Sequence, residues 1–207
     1  MKAMYGKKIG MTRIFTEAGD SVGVTAIEVE PATVVRIKTK DIDGYTAAIV
    51  SFGAARPKLV SKPVKGQFEK NGVEVKRYLR EIRLVGDQLP EKGSKIGVEI
   101  FKPGEKVHIS GVSRGLGFQG AVRRHHFKGG PKTHGQSDRL RAPGSVGASS
   151  YPSRTFLGQR MAGHMGSDNV TVRNVTVVGV EPEQNLLLVS GPIPGHRNSV
   201  VYVRKAR

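Results

Sequence analysis

Residues 111–166 decide what the rest of this chain can be. Between Gly111 and Gly166 lie twelve glycines, nine basic side chains and a single acid, Asp138. Apolar periodicity is nearly absent there, apart from a helical turn expected over Phe118–His125. Such a segment cannot bury enough apolar surface to offset the entropy of ordering it. A structureless stretch of this length inside a compact domain is uncommon unless it is functional. A flexible, solvated loop would also satisfy the composition. Nine cations against one acid favour instead an arm that orders against a polyanion. The core must come from the flanking residues.

Those flanks read as short strands. Val22–Glu30 alternates apolar and polar side chains, as a half-buried strand does, until Pro31 breaks it. Thr33–Lys38 is β-branched and is expected to pair next. Asp43-Gly44 signals a hairpin turn before Tyr45–Phe52. Ile96–Phe101 and Lys106–Ser110 add two more candidates. In the tail, Val170, Val172, Val175 and Val177 alternate with a phase flip at Arg173-Asn174, which predicts a bulge. Pro182–Asn185 reads as a turn, Leu186–Val189 as a buried strand, and Val200–Val203 as the next strand.

Between these, Ser61–Lys70 has Pro63 near its start and Asn71-Gly72 past its end, the asymmetry of a short helix. Tyr78–Val85 returns to strand-like spacing. Many short strands at roughly 8–12-residue intervals indicate a barrel or a sandwich. The expected organisation is mainly β, with a body over residues 1–55, 86–110 and 167–207. A small α+β insert occupies 56–85, and a long extended basic loop occupies 111–166.

The formal net charge is +17, from 34 Lys and Arg against 17 Asp and Glu. Self-repulsion on this scale is relieved by an anionic partner. A membrane surface would call for an amphipathic helix with its cations opposite bulky apolar residues, and none is legible. Nucleic acid is the partner class that remains. The absence of cysteine excludes disulfides, Cys-ligated zinc, iron–sulfur clusters and thiol nucleophiles. The stretch MKAMYGKKIGMTRIF lacks the apolar core of a signal peptide, and no segment approaches the roughly 18 apolar residues of a membrane span. A cytoplasmic chain is expected.

Several motifs tempt and fail. Gly115–Gly120 (GLGFQG) matches the dinucleotide pattern, with Asp138 about twenty residues on. His125–Ser137 contains no hydrophobic strand to deliver that acid. Arg114–Ala121 half-resembles an RNA-stacking strand but carries Leu116 and Ala121 where aromatics are needed. His125, His126, His134 and His164 lack the spacing, the second carboxylate and the charge balance of a zinc site. They are either solvated or in contact with RNA. No paired carboxylates, serine elbow or P-loop is present. The reading is a non-enzyme without metal or cofactor.

What remains suits a folded RNA. Gly115, Gly117 and Gly120 let successive backbone N–H groups approach one phosphate. Arg114, Arg123, Arg124, Arg139, Arg141, Arg154 and Arg160 offer bidentate forks, and Lys128 and Lys132 add point charges. Pro131, Pro143 and Pro152 restrict the path and lower the ordering cost. Such an arm recognises shape more than sequence.

Gly6–Phe15 (GKKIGMTRIF), Ser113–Arg124 (SRGLGFQGAVRR), Pro143–Gly147 (PGSVG), Met161–Gly166 (MAGHMG) and Leu186–Pro194 (LLLVSGPIP) follow in this order. Together they resemble, from end to end, the bacterial form of the universal large-subunit ribosomal protein L3 family. The resemblance implies a translation-factor-like β-barrel with a small α+β insert. It implies a loop reaching towards the peptidyl transferase centre, direct and early binding of large-subunit (23S-type) ribosomal RNA, neighbouring ribosomal proteins, and no catalysis. It adds Lys7, Lys8 and Arg13 to the expected RNA contacts. A non-ribosomal RNA chaperone or assembly factor on the same body is the alternative. The chain departs from the family pattern at His108, where an acid or Asn is usual, and at Leu116, where a basic residue is usual. Its loop tip, Ala148-Ser149-Ser150, holds no glutamine to modify.

Overall fold

Alternating sequence on either side of the glycine-rich segment builds most of the strands in the computed structural model, which describes residues 2–16, 19–84 and 89–206. In chain order the strands are β1 (Ala3–Phe15), β2 (Ser21–Glu28), β3 (Ala32–Lys38), β4 (Ala47–Phe52), β5 (Tyr78–Arg83) and β6 (Lys95–Ile96). There follow β7 (Lys106–Val112), β8 (Gly117–Gln119), β9 (Gly163–Met165), β10 (Asn169–Glu181), β11 (Leu186–Ser190) and β12 (Val200–Lys205). The helices are α1 (Lys40–Asp43), α2 (Lys62–Asn71) and α3 (Ala121–His125). None of the described helices is long and apolar enough to cross a membrane.

Six strands form a closed ring in the order β1-β12-β7-β10-β11-β2, every neighbouring pair antiparallel. A second sheet runs β5-β4-β3-β6. Met4, Ile27, Val107, Ile109, Leu187, Val189 and Val203 from the ring join Val34, Val50 and Ile82 from the sheet in one buried apolar cluster. These strands and α2 make one compact unit, Met1–Val112 with Asn169–Arg207; Ser113–Asp168 makes the other.

Several expectations hold in detail. Helix α2 starts after Ser61 and ends at Gly72, whose left-handed φ of 65° frees its N–H to bond the carbonyls of Glu69 and Phe68. The phase flip in β10 is a bulge, with the register to β7 shifting between Val172 and Val175 and Asn174 at φ 56°. The Asn174 N–H donates to His108 Nδ1 at 3.1 Å, so the ring must carry its proton on Nε2. An Asn side chain at 108 offers an oxygen in a similar place. Accordingly His108→Leu should lower the unfolding free energy by about 1 kcal/mol. His108→Asn should stay within about 0.5 kcal/mol of the parent, both read by urea denaturation. Equal losses for the two variants would remove this role from His108.

Other expectations are corrected. Strand β3 does not pair with β2, because both edges of β2 are occupied, by β1 and β11. After Pro31 the chain instead starts the second sheet. Asp43-Gly44 does lie in a hairpin connection, because β3 and β4 pair antiparallel, but the turn is longer than the dipeptide: α1 fills the connection, and Gly44 at φ 79° caps it through an N–H to the Lys40 carbonyl. Ile96–Phe101 is a strand only to Ile96, then a 3₁₀ turn over Val98–Ile100. That turn brings Val98 and Phe101, three residues apart, into the core together. The segment 56–85 contains α2 and β5, and β5 pairs with β4 in the sheet β5-β4-β3-β6. Val85 and the start of the 86–110 segment lie outside the described residues.

Candidate nucleic-acid interface

The unit Ser113–Asp168 begins and ends in a glycine-dependent root. Strands β8 and β9 pair as Gly117 with Met165, Phe118 with His164 and Gln119 with Gly163. The Ser113 N–H donates to the Asp168 carbonyl at 2.8 Å, and the Asp168 N–H to Ser113 Oγ at 3.1 Å. Leu116 N–H reaches the Met165 carbonyl at 2.9 Å. Gly166, at φ 82°, passes so close to the Arg114 carbonyl that a Cβ there would collide with it. A Cβ on Gly115 would lie 2.7 Å from Ser167 Oγ. At Gly166 the root is fixed by a backbone contact that only glycine admits.

The helical turn expected over Phe118–His125 is shorter, because Phe118 belongs to β8 and α3 begins at Ala121. Ala121 is the buried residue of α3, and His126 ends it at φ 60°. The Arg124 guanidinium donates to the Met161 carbonyl at 2.9 Å, and the His125 ring lies 3.1 Å from the same oxygen. A side chain at Gly163 would crowd that guanidinium. Arg124 and His125 thus brace the root, while Arg123 is exposed. The six residues Gly115–Gly120 contain the three-residue strand β8 and lead into the five-residue α3, which is not a dinucleotide fold.

Beyond α3 the chain carries charge with little regular structure. Arg114, Lys128, Lys132, His134, Arg139, Arg141, Arg154, Arg160 and His164 are all exposed, as are Gly115, Gly117, Gly120 and His126. Every ion pair among the described residues lies in the other unit. The only acids here are Asp138 and Asp168. The nine cations therefore have no carboxylate partner among the described residues. Exposed apolar groups stand among them: Phe118 is 76% exposed, Tyr151 90% and Phe156 60%. Arg154 sits over the Phe156 ring, 5.5 Å from its centre. No apolar period in the sequence marks these aromatics. Their interleaving with arginine was the available signal, since exposed rings provide stacking faces for bases.

The three cations of the first motif lie on β1 and differ in availability. Lys8 donates its ammonium to the carbonyls of Ile193 at 2.8 Å and Gly195 at 3.0 Å. Burial there pushes its pKa below the ordinary lysine value. Lys8 pins the 191–199 loop, so the structure gives it an internal task in place of a free charge. Lys7 stands 3.6 Å from Glu28, and Arg13 is exposed.

Known proteins of one kind share this chain's pattern. A family model described as Ribosomal protein L3 matches residues 85–185. The Large ribosomal subunit protein uL3 of Chloroherpeton thalassium is 51% identical over 205 residues, covering 98% of each chain. The uL3 of Herpetosiphon aurantiacus is 46% identical over 206 residues, covering 100% of this chain and 97% of its own. That of Chlorobium limicola is 48% identical over 204 residues, with 98% of each covered.

Proposed function

The chain belongs to the ribosomal protein L3 family, and from that premise we propose that it holds large-subunit ribosomal RNA with the arm Ser113–Asp168. It is a structural constituent of the large ribosomal subunit in the cytoplasm, not an enzyme. The observation that carries the RNA reading is the arm's nine basic side chains, none of them paired with a carboxylate among the described residues. Unpaired cations on a glycine-rich backbone favour phosphate, and RNA is the polyanion of the subunit.

In this reading the ring is a translation-factor-like barrel, and residues 1–55, 86–110 and 167–207 form the body. Residues 56–85 act as the insert, and 111–166 as the loop that reaches towards the peptidyl transferase centre. Binding is direct and early in assembly, beside other large-subunit proteins. Arg114, Arg123, Lys128, Lys132, Arg139, Arg141, Arg154 and Arg160 supply phosphate contacts, with Arg13 on the body. His126, His134 and His164 are exposed where they can stack or hydrogen-bond.

Co-sedimentation with large subunits through a high-salt wash tests the assignment. A structural constituent stays with the subunit, whereas a chaperone or assembly factor washes off. A second expectation concerns the free chain. Proteolysis should cut first between Lys128 and Leu157, where the backbone has almost no regular structure, and assembly should protect those sites. Equal resistance of arm and ring in the free protein would count against an arm that orders on RNA.

A further inference from the structure

The arm contains a cleft of about 480 Å³, a size typical of small-ligand sites. Phe127 and Pro143 form apolar wall, Lys128 and Arg139 bring positive charge, and Gly129 and Gly130 leave backbone bare. No acid lines it.

Two observations show that the cleft is built by the local fold. The Gly130 N–H donates to the Leu140 carbonyl at 2.9 Å, closing the intervening loop on itself. A Cβ on Gly129 would run into that same carbonyl, and one on Gly130 would lie 2.8 Å from the Arg139 carbonyl. The two sides of the loop therefore meet at a distance that only glycine permits. Phe127 is half-buried, and the His125 ring stands 6.2 Å from it, tilted by 45°. Since His125 is itself held at the Met161 carbonyl, Phe127 has a fixed neighbour.

An aromatic face, two cations and no carboxylate match one ligand chemistry: a planar base joined to a phosphate. We propose that this cleft takes a single unstacked nucleotide of the RNA. Its base lies against Phe127, and its phosphate is held by Lys128 and Arg139. The proposal rests on the RNA-binding reading of the arm and gives it a place and a ligand class. An acidic peptide would satisfy the two cations but would leave the aromatic wall without a planar partner.

The test uses the full chain bound to a transcript of large-subunit ribosomal RNA. Short-wavelength ultraviolet crosslinking, read by mass spectrometry, should attach a nucleotide to the peptide containing Phe127. Phe127→Leu should abolish that crosslink and weaken binding roughly fivefold or more, without changing the salt slope. Phe127→Tyr should retain both crosslink and affinity, which separates loss of stacking from collapse of the loop. The double variant Lys128→Ala with Arg139→Ala should make the salt slope shallower. Crosslinks elsewhere in the arm but none at Phe127 would overturn the cleft assignment while leaving the arm's role intact. So would Phe127→Leu binding as tightly as the parent. Absence of RNA crosslinks anywhere in the arm would overturn the broader reading and this one with it.

Discussion

Gly166→Ala should loosen the root of the arm while leaving the ring folded. The added Cβ meets the Arg114 carbonyl, which is backbone and cannot swing aside, and the residue sits at φ 82°. A non-glycine residue in a disfavoured backbone conformation costs roughly 1–3 kcal/mol, and the collision adds to this. About 3 kcal/mol corresponds to a change of roughly a hundredfold in local opening. Amide hydrogen exchange at Leu116, whose N–H bonds the Met165 carbonyl, should speed up by about that factor. Exchange at the ring residues Met4 and Ile109, both fully buried, should not change. Gly147→Ala is the comparison: the nearest atom to its Cβ is 3.9 Å away, and its effect should stay within about 0.5 kcal/mol. If both variants exchanged alike, the root would not depend on the close approach at Gly166.

Arg123 and Arg124 are neighbours in sequence with different expected phenotypes. Arg123 is exposed and has no hydrogen-bonded partner among the described residues, whereas Arg124 is committed to the Met161 carbonyl at 2.9 Å. Arg123→Ala should weaken RNA binding and flatten the plot of log affinity against log salt. The slope should drop by up to about 0.9 for a duplex phosphate contact and about 0.7 for a single-stranded one. Root exchange rates should stay at the parent level. Arg124→Ala should show the reverse emphasis, with faster exchange across β8 and β9 and a smaller change in slope. Lys62, exposed on α2, is the surface reference, and its replacement should leave the slope unchanged. An Arg123→Ala slope equal to the parent's would return that side chain to ordinary solvated surface.

What could be read from the amino-acid order was local. The bulge in β10 was visible because the valine alternation changes phase, and α2 because Pro63 and Gly72 bracket it. Strand β1 was not, although it spans Ala3–Phe15 and holds two ring neighbours. Gly6, Lys7, Lys8 and Gly10 break its alternation, and its register to β2 shifts between Lys8 and Gly10. Gly6 is needed because a Cβ there would lie 2.5 Å from Ile27. That neighbour is distant in sequence, so no local pattern announces it. Strands β8 and β9 are three residues each, too short to show a period. The site divides in the same way. Charge clustering marked the arm, but only three-dimensional contacts tell Arg123 from Arg124, or show that Lys8 serves two carbonyls.

The arm leaves the ring at Val112 and re-enters at Asn169, and these residues face each other across an antiparallel pair. In terms of connectivity, the whole segment between them is the loop of a β-hairpin. For a flexible loop, each doubling of length costs only about 0.6 kcal/mol in closure entropy. Selection could therefore lengthen, shorten or rewrite the excursion with little penalty to the strands that anchor it. Reach and stability become separately adjustable properties of one chain, each governed by its own stretch of sequence.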